Sequence, residues 1–199
     1  MKILGITGGV GAGKSTVLNY LKERYQAELL IMDDIGRELE TPGHDCFDKI
    51  VKAFGTGILA EDGSLDRPAV AQLVFHDADS LEKLNGIVHP AVREETERRL
   101  QALKNSGCRL AVLESALLLE ESYDTYCDAL WYVYADEETR IRRLMRDRGY
   151  TAEKAMAVMA NQKSDEEFRE KCQVVIDNSR ENVQNTYGQI DREISALIG

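Results

Sequence analysis

The sequence predicts an α/β fold, with five strands in a parallel sheet, flanking helices and a helical insert. Three observations predict it. Near the start, a glycine-rich stretch joins a short apolar run to a segment of helical period. Short apolar runs and helical segments then alternate at both ends of the chain, as strands joined by crossover helices do. Between about residues 36 and 106, apolar residues recur at helical spacing instead. These 199 residues are expected to form one domain, with a core of about 1–35 and 107–199 and the insert between.

Lys2 to Thr7 reads as a buried strand. The residues after it, Gly8 to Thr16, match the phosphate-loop pattern G-x-x-x-x-G-K-[ST] through Gly8, Gly13, Lys14 and Ser15. Polyphosphate needs many donors facing one centre, and glycines let backbone N–H groups turn inward. Val17, Leu18, Tyr20, Leu21 and Tyr25 follow at helical spacing. The helix they predict points its unpaired amides and positive end at the same anion. Gly11, Ala12, Gly13, Lys14, Ser15 and Thr16 are therefore expected to bind a nucleoside triphosphate. Lys14 reaches the outer phosphates and the Ser15 hydroxyl holds Mg²⁺.

Leu29 to Met32 reads as the second strand, ending in Asp33-Asp34. Ligands of such sheets sit beyond the carboxyl ends of the strands. Asp33 can orient an acceptor hydroxyl and take its proton, or it can cap a helix; Asp34 is the better cap. Arg37, one turn on, can face the same acceptor. Within the insert, Phe47, Ile50, Val51 and Phe54 form a stripe closed by Gly55, and Pro68 sits in the first turn of the next helix. His89-Pro90 is expected to precede a separate charged helix running to about Leu103. His89 alone is more often structural than chemical.

Leu110 to Leu113 is the third strand, and Glu114 at its end suits a partner of Mg²⁺ acting through a water. Ala116 to Glu120 reads as a buried helical turn. The fourth strand is Asp128 to Tyr134. Arg140, Arg142, Arg143, Arg146 and Arg148 follow within nine residues. Clustered arginines beside a phosphate site can clamp the transferring group, and Arg143 or Arg146 suits this better than Arg142. The alternative is a solvated face paired with neighbouring acids. Val174 to Ile176 is the fifth strand, ending in Asp177-Asn178, and an amphipathic helix closes the chain.

The net charge of −10 argues against sequence-independent nucleic-acid binding. No apolar run is long enough to span a membrane. A removable leader is not expected, because the first strand begins at Lys2. Cys46, Cys108, Cys127 and Cys172 are far apart and form no CxxC pair, which suits reduced thiols in the cytoplasm.

Taken together these pieces resemble the dephospho-CoA kinase family. The matching residues are Gly5 to Thr16, Asp33 with Arg37, Asp62 to Arg67, Leu84-Asn85, His89-Pro90, Leu117 to Glu120, and Val175 to Asn178. The resemblance implies a P-loop kinase fold that transfers the γ-phosphoryl of ATP, with Mg²⁺, to the ribose 3′-hydroxyl of dephospho-CoA. It implies Asp33, Lys14 and Arg143 as the catalytic set and Asn178 at the nucleotide. It places Asp33, Arg37, His89 and Leu118 at the acceptor. The insert would bind the acceptor, and a lid near residues 140–170 would close over it, in a monomer or small homo-oligomer. Ile31 stands where the family has the first acid of an Asp-x-Asp pair, Ala116 where proline is common, and Val158 in place of an arginine. Cys172-Gln173 replaces an Ala-Asp. Another small-molecule or nucleotide kinase is the alternative.

Overall fold

The computed structural model describes residues 1–180 and 182–199, with backbone alone at His76. Five strands form one parallel sheet: β1 (Lys2–Thr7), β2 (Glu28–Ile31), β3 (Leu110–Glu114), β4 (Ala129–Tyr134) and β5 (Val174–Asp177). Their order is β2-β3-β1-β4-β5, so β1 is central. Register sets Ile6 beside both Glu114 and Trp131, and Tyr134 beside Asp177. Leu4, Ile6, Val112 and Leu113 are wholly buried, which is why β1 and β3 read as apolar runs without alternation.

The chain folds as two compact units, residues 1–30 with 103–199, and residues 31–102. In the first, α1 (Lys14–Tyr25) and α9 (Val183–Ile198) carry stripes that bury Val17, Leu18, Leu21, Ile190 and Ile194. Their polar edges are also joined. Tyr20 stacks on Tyr187, and the Tyr20 and Tyr25 hydroxyls both donate to Asp191. Following β4 come α6 (Glu137–Arg148), α7 (Ala152–Ala160) and α8 (Asp165–Lys171), capped by Asp136, Thr151 and Ser164 side chains. Phe168 of α8 stacks on Tyr132 of β4.

The second unit holds α2 (Met32–Leu39), α3 (Asp45–Phe54), α4 (Arg67–His76) and most of α5 (Ala78–Asn105). Cys46, Ile50 and Ile58 centre its core, with Phe54, Leu84 and Val88 packed around them. Gly55 closes α3, and Asp66 caps α4 by accepting from the Ala69 N–H.

Three expectations need correction. Met32 belongs to α2, so β2 ends one residue earlier and Asp33 and Asp34 fall in a first helical turn. Residues 116–120 form a turn with Leu117 nearly half exposed, not a buried helix. Pro90 does not begin a helix; α5 runs through it for 28 residues. A proline inside a helix forfeits one N–H bond, and its ring crowds the carbonyl four residues back. That residue is Gly86, which has open space where a Cβ would stand. Among the described residues, no helix is long and apolar enough to cross a membrane.

Candidate active site

The phosphate loop leaves the central strand at Thr7 and enters α1 at Lys14. Gly13 makes the entry in the left-handed region at φ 85°, where a side chain would be strained and a Cβ would strike the Asn178 amide. The carbonyls of the loop are all engaged. Gly8 accepts from Lys14 Nζ (2.8 Å), Gly9 from the Ala12 N–H, and Val10 from Arg140 Nε (2.9 Å). Gly11 and Ala12 accept from Arg143 Nη1, and Ala12 also from Asn178 Nδ2 at 2.9 Å. Gly13 accepts from the Thr16 N–H. In a planar trans peptide the N–H points opposite the C=O. Drawing the Val10, Ala12 and Gly13 carbonyls outward therefore turns the Gly11, Gly13 and Lys14 N–H groups toward the concave side. The Lys14 and Ser15 N–H groups at the start of α1 add to that surface.

Lys14 Nζ also lies 3.5 Å from Glu114 Oε1, and both side chains are largely buried. The strand register explains the pairing, since Glu114 ends β3 directly beside Ile6 of β1. An ammonium held between a carbonyl and a carboxylate is already in place for a phosphate that outcompetes the carbonyl.

Helix α6 turns one face to the loop. Leu144 is buried, Arg140 lies one turn before it, and Arg143 lies three residues after Arg140 on the same side. Burial works against charge on both guanidiniums and draws their pKa values down, yet a guanidinium stays protonated in proteins. Arg143 Nη2 donates to the Asn178 carbonyl at 2.8 Å, so both terminal nitrogens meet backbone oxygens. Arg146, which the sequence favoured equally, lies on the exposed face and pairs with Asp147 at 2.6 Å. Asn178 is buried just past β5, and its Oδ1 accepts from the Thr186 hydroxyl of α9.

Reading the sequence placed Arg140 only as one of five clustered arginines, and it missed Gln162 altogether. Arg140 had a usable signal, because it stands four residues before Leu144, the apolar residue that marks the inward face. Gln162 had none; its carbonyl meets the Val10 N–H across 152 residues of chain.

The expected acceptor residues are placed differently. Asp33 is exposed in the first turn of α2. Asp34 is not the cap: Ile31 occupies that position without a side-chain cap, and Asp34 pairs with Arg37 at 3.0 Å in solvent. His89 is half-buried on α5. Leu118 has no exposed surface and packs beneath Gly5, so its side chain is core, while its neighbour Leu117 faces out. Among the described residues, no three acidic, histidine or cysteine side chains gather into a metal cage.

A glycine loop rising from the central strand of a 2-3-1-4-5 parallel sheet, with its lysine on the first turn of α1, defines a P-loop phosphotransferase. The dephospho-CoA kinase family model matches residues 2–184. The chain belongs to that family. A dephospho-CoA kinase of Geobacter sulfurreducens is 42% identical over 99% of this chain and 97% of its own. One of Carboxydothermus hydrogenoformans is 38% identical over 96% and 91%. A crystal structure from Thermus thermophilus superposes with a TM-score of 0.83 at 29% identity, covering 100% of this chain and 98% of that one. Membership of a kinase family makes ATP the phosphoryl donor.

Proposed function

We propose that the chain transfers the γ-phosphoryl group of ATP to the ribose 3′-hydroxyl of dephospho-CoA, the last step of coenzyme A synthesis. The observation that carries this is the phosphate loop with its carbonyls drawn outward and its donors left for an anion. Membership of the family supplies the acceptor. The triphosphate lies on the N–H groups of Gly11, Gly13, Lys14 and Ser15, with Ala12 lining the loop between them and the Thr16 hydroxyl as a further donor. Lys14 leaves the Gly8 carbonyl for the outer phosphates. Phosphoryl transfer spreads charge over three equatorial oxygens, so catalysis is chiefly positioning and electrostatic stabilisation. Arg143 supplies positive charge from behind the loop while holding the Gly11 and Ala12 carbonyls away, and Asn178 shares that task.

Asp33 takes the acceptor proton. As the 3′-oxygen bonds to the γ-phosphorus, the bridging bond to ADP breaks and the hydroxyl proton passes to the carboxylate. Support comes from its exposure and from its place just past the carboxyl end of β2. Arg37 and His89 serve the acceptor, and Leu118 serves it by holding the turn after β3. The helical unit takes the acceptor, and the lid lies within residues 140–170, between Arg143 and Gln162, which stay on the loop. Ser15, with Glu114 through a water, suits Mg²⁺, which keeps most of its shell as water and phosphate oxygens and so needs few protein ligands. When bound, Mg²⁺ neutralises charge on the β- and γ-oxygens. All four cysteines are free thiols, which suits the cytoplasm.

Coupled ADP release tests the acceptor. Dephospho-CoA should support turnover while adenosine, AMP and pantetheine phosphate should not. Equal rates with AMP or adenosine would make this another small-molecule kinase.

A further inference from the structure

A ring of hydrogen bonds closes on the tip of the phosphate loop. Gln162 lies just past the end of α7, and its side-chain oxygen accepts from the Val10 N–H at 2.8 Å and from Arg140 Nη2 at 2.9 Å. Because both partners can only donate, the oxygen end of the amide is the end that meets them. Arg140 Nε in turn donates to the Val10 carbonyl at 2.9 Å. Both polar groups of Val10 are thus held by side chains from distant parts of the chain. Val10 is a free position in the phosphate-loop pattern, so the pattern does not account for this grip. Gly9 is another free position, and the same grip needs it: a Cβ there would strike the Arg140 guanidinium.

We propose that Gln162 and Arg140 are positioning residues for ATP, which with Gly9 fix the tip of the phosphate loop in its binding shape before the nucleotide arrives. Their role rests on the loop being an ATP site. Gly8, Gly9, Gly11 and Gly13 make this segment costly to order, since glycine loses the most backbone freedom. A donor cradle binds best when that cost is met in advance by the fold. The helix end of the loop is tied by Arg143 and Asn178, and its strand end by Lys14. The tip is tied by Gln162 and Arg140. An amide oxygen has two lone pairs and can serve both donors at once without charge. A carboxylate would also accept from both, but it would bring negative charge toward the triphosphate and neutralise Arg140.

The test uses the full chain and two readouts: calorimetric titration with ATP in the absence of acceptor, and steady-state rates with dephospho-CoA. Gln162→Met keeps the volume and removes the acceptor; ATP Kd should rise about tenfold, the equivalent of one to two lost hydrogen bonds. Its kcat at saturating ATP and its KM for the acceptor should stay close to wild type, while its thermal midpoint falls by only the few degrees that the lost bonds cost. Gln162→Glu retains both bonds, so its defect should shrink with added salt while that of Gln162→Met does not. Gly9→Ala should weaken ATP binding in the wild-type chain and add little once Arg140→Ala has removed the colliding group. An ATP Kd within about twofold of wild type for Gln162→Met would overturn the assignment, being under half a kcal/mol. So would a fall in kcat, affinity and thermal midpoint together, which a general folding defect would give. A wild-type chain that binds no ATP would overturn the reading of the loop itself, and the positioning role with it.

Discussion

Replacing Asn178 with alanine tests how the loop is held from behind. Asn178 is 3% exposed; its Nδ2 donates to the Ala12 carbonyl, and its Oδ1 accepts from Thr186, which is fully buried. The Ala12 carbonyl keeps a second donor in Arg143 Nη1 at 3.1 Å, so losing that bond costs about 1 kcal/mol. Among the described residues, the Thr186 hydroxyl has no such reserve. Left unpaired in the interior, it adds about 1–2 kcal/mol. The sum, about 2–3 kcal/mol, should lower the thermal midpoint by roughly 4–12 °C in a chain of this size. Trp131 is the single tryptophan, buried in β4 of the same unit, and its fluorescence reports the transition. The deciding measurement is the double variant. Thr186→Val removes the stranded hydroxyl, so Asn178→Ala with Thr186→Val should be no less stable than Asn178→Ala alone. If the two single effects simply add, the buried pair is not coupled and the reasoning fails.

Lys14→Ala should abolish nearly all turnover while leaving the thermal midpoint within a few degrees, as read by fluorescence and coupled ADP release. Asp33→Asn should lower kcat far more than it weakens ATP binding; near-wild-type turnover would remove Asp33 as the base. In the helical unit, hydrogen bonds from Arg98, with Arg99 beside it, hold the Glu95 carboxyl down to about 2. A depressed carboxyl stabilises the fold above its unfolded pKa and loses that contribution as pH falls toward the folded value. Glu95→Gln should therefore cost about 1 kcal/mol at pH 7, given the exposure of Arg98, and progressively less as pH falls through about 2; urea unfolding across that range checks it.

What was legible in the sequence was local. The loop, its strand and its helix lie within two dozen residues, and each was visible in spacing alone. Gly55 closed α3, and Pro68 fell in the first turn of α4, as their types require. Where neighbours in space decide, the pattern was silent or misleading. Pro90 read as a boundary, yet α5 runs through it. Leu117 and Leu118 are equivalent on paper, and only the hollow opposite Gly5 decides which is inside. Asp34 read as a cap, but the chain turned into helix three residues sooner and left it to Arg37. The assignment of Asn178 to the nucleotide came from family resemblance. Nothing in Asp177-Asn178 itself announces an amide that holds carbonyls 165 and 166 residues upstream.

That separation bears on how the protein is made. During synthesis the glycine-rich segment emerges first, but its backing arrives with α6, Gln162 and finally Asn178 and Thr186. A ribosome paused before those residues displays the motif without the geometry. Such a nascent chain should pass through a nucleotide-rich milieu without capturing any, and the grip should switch on only when the closing helix leaves the exit tunnel.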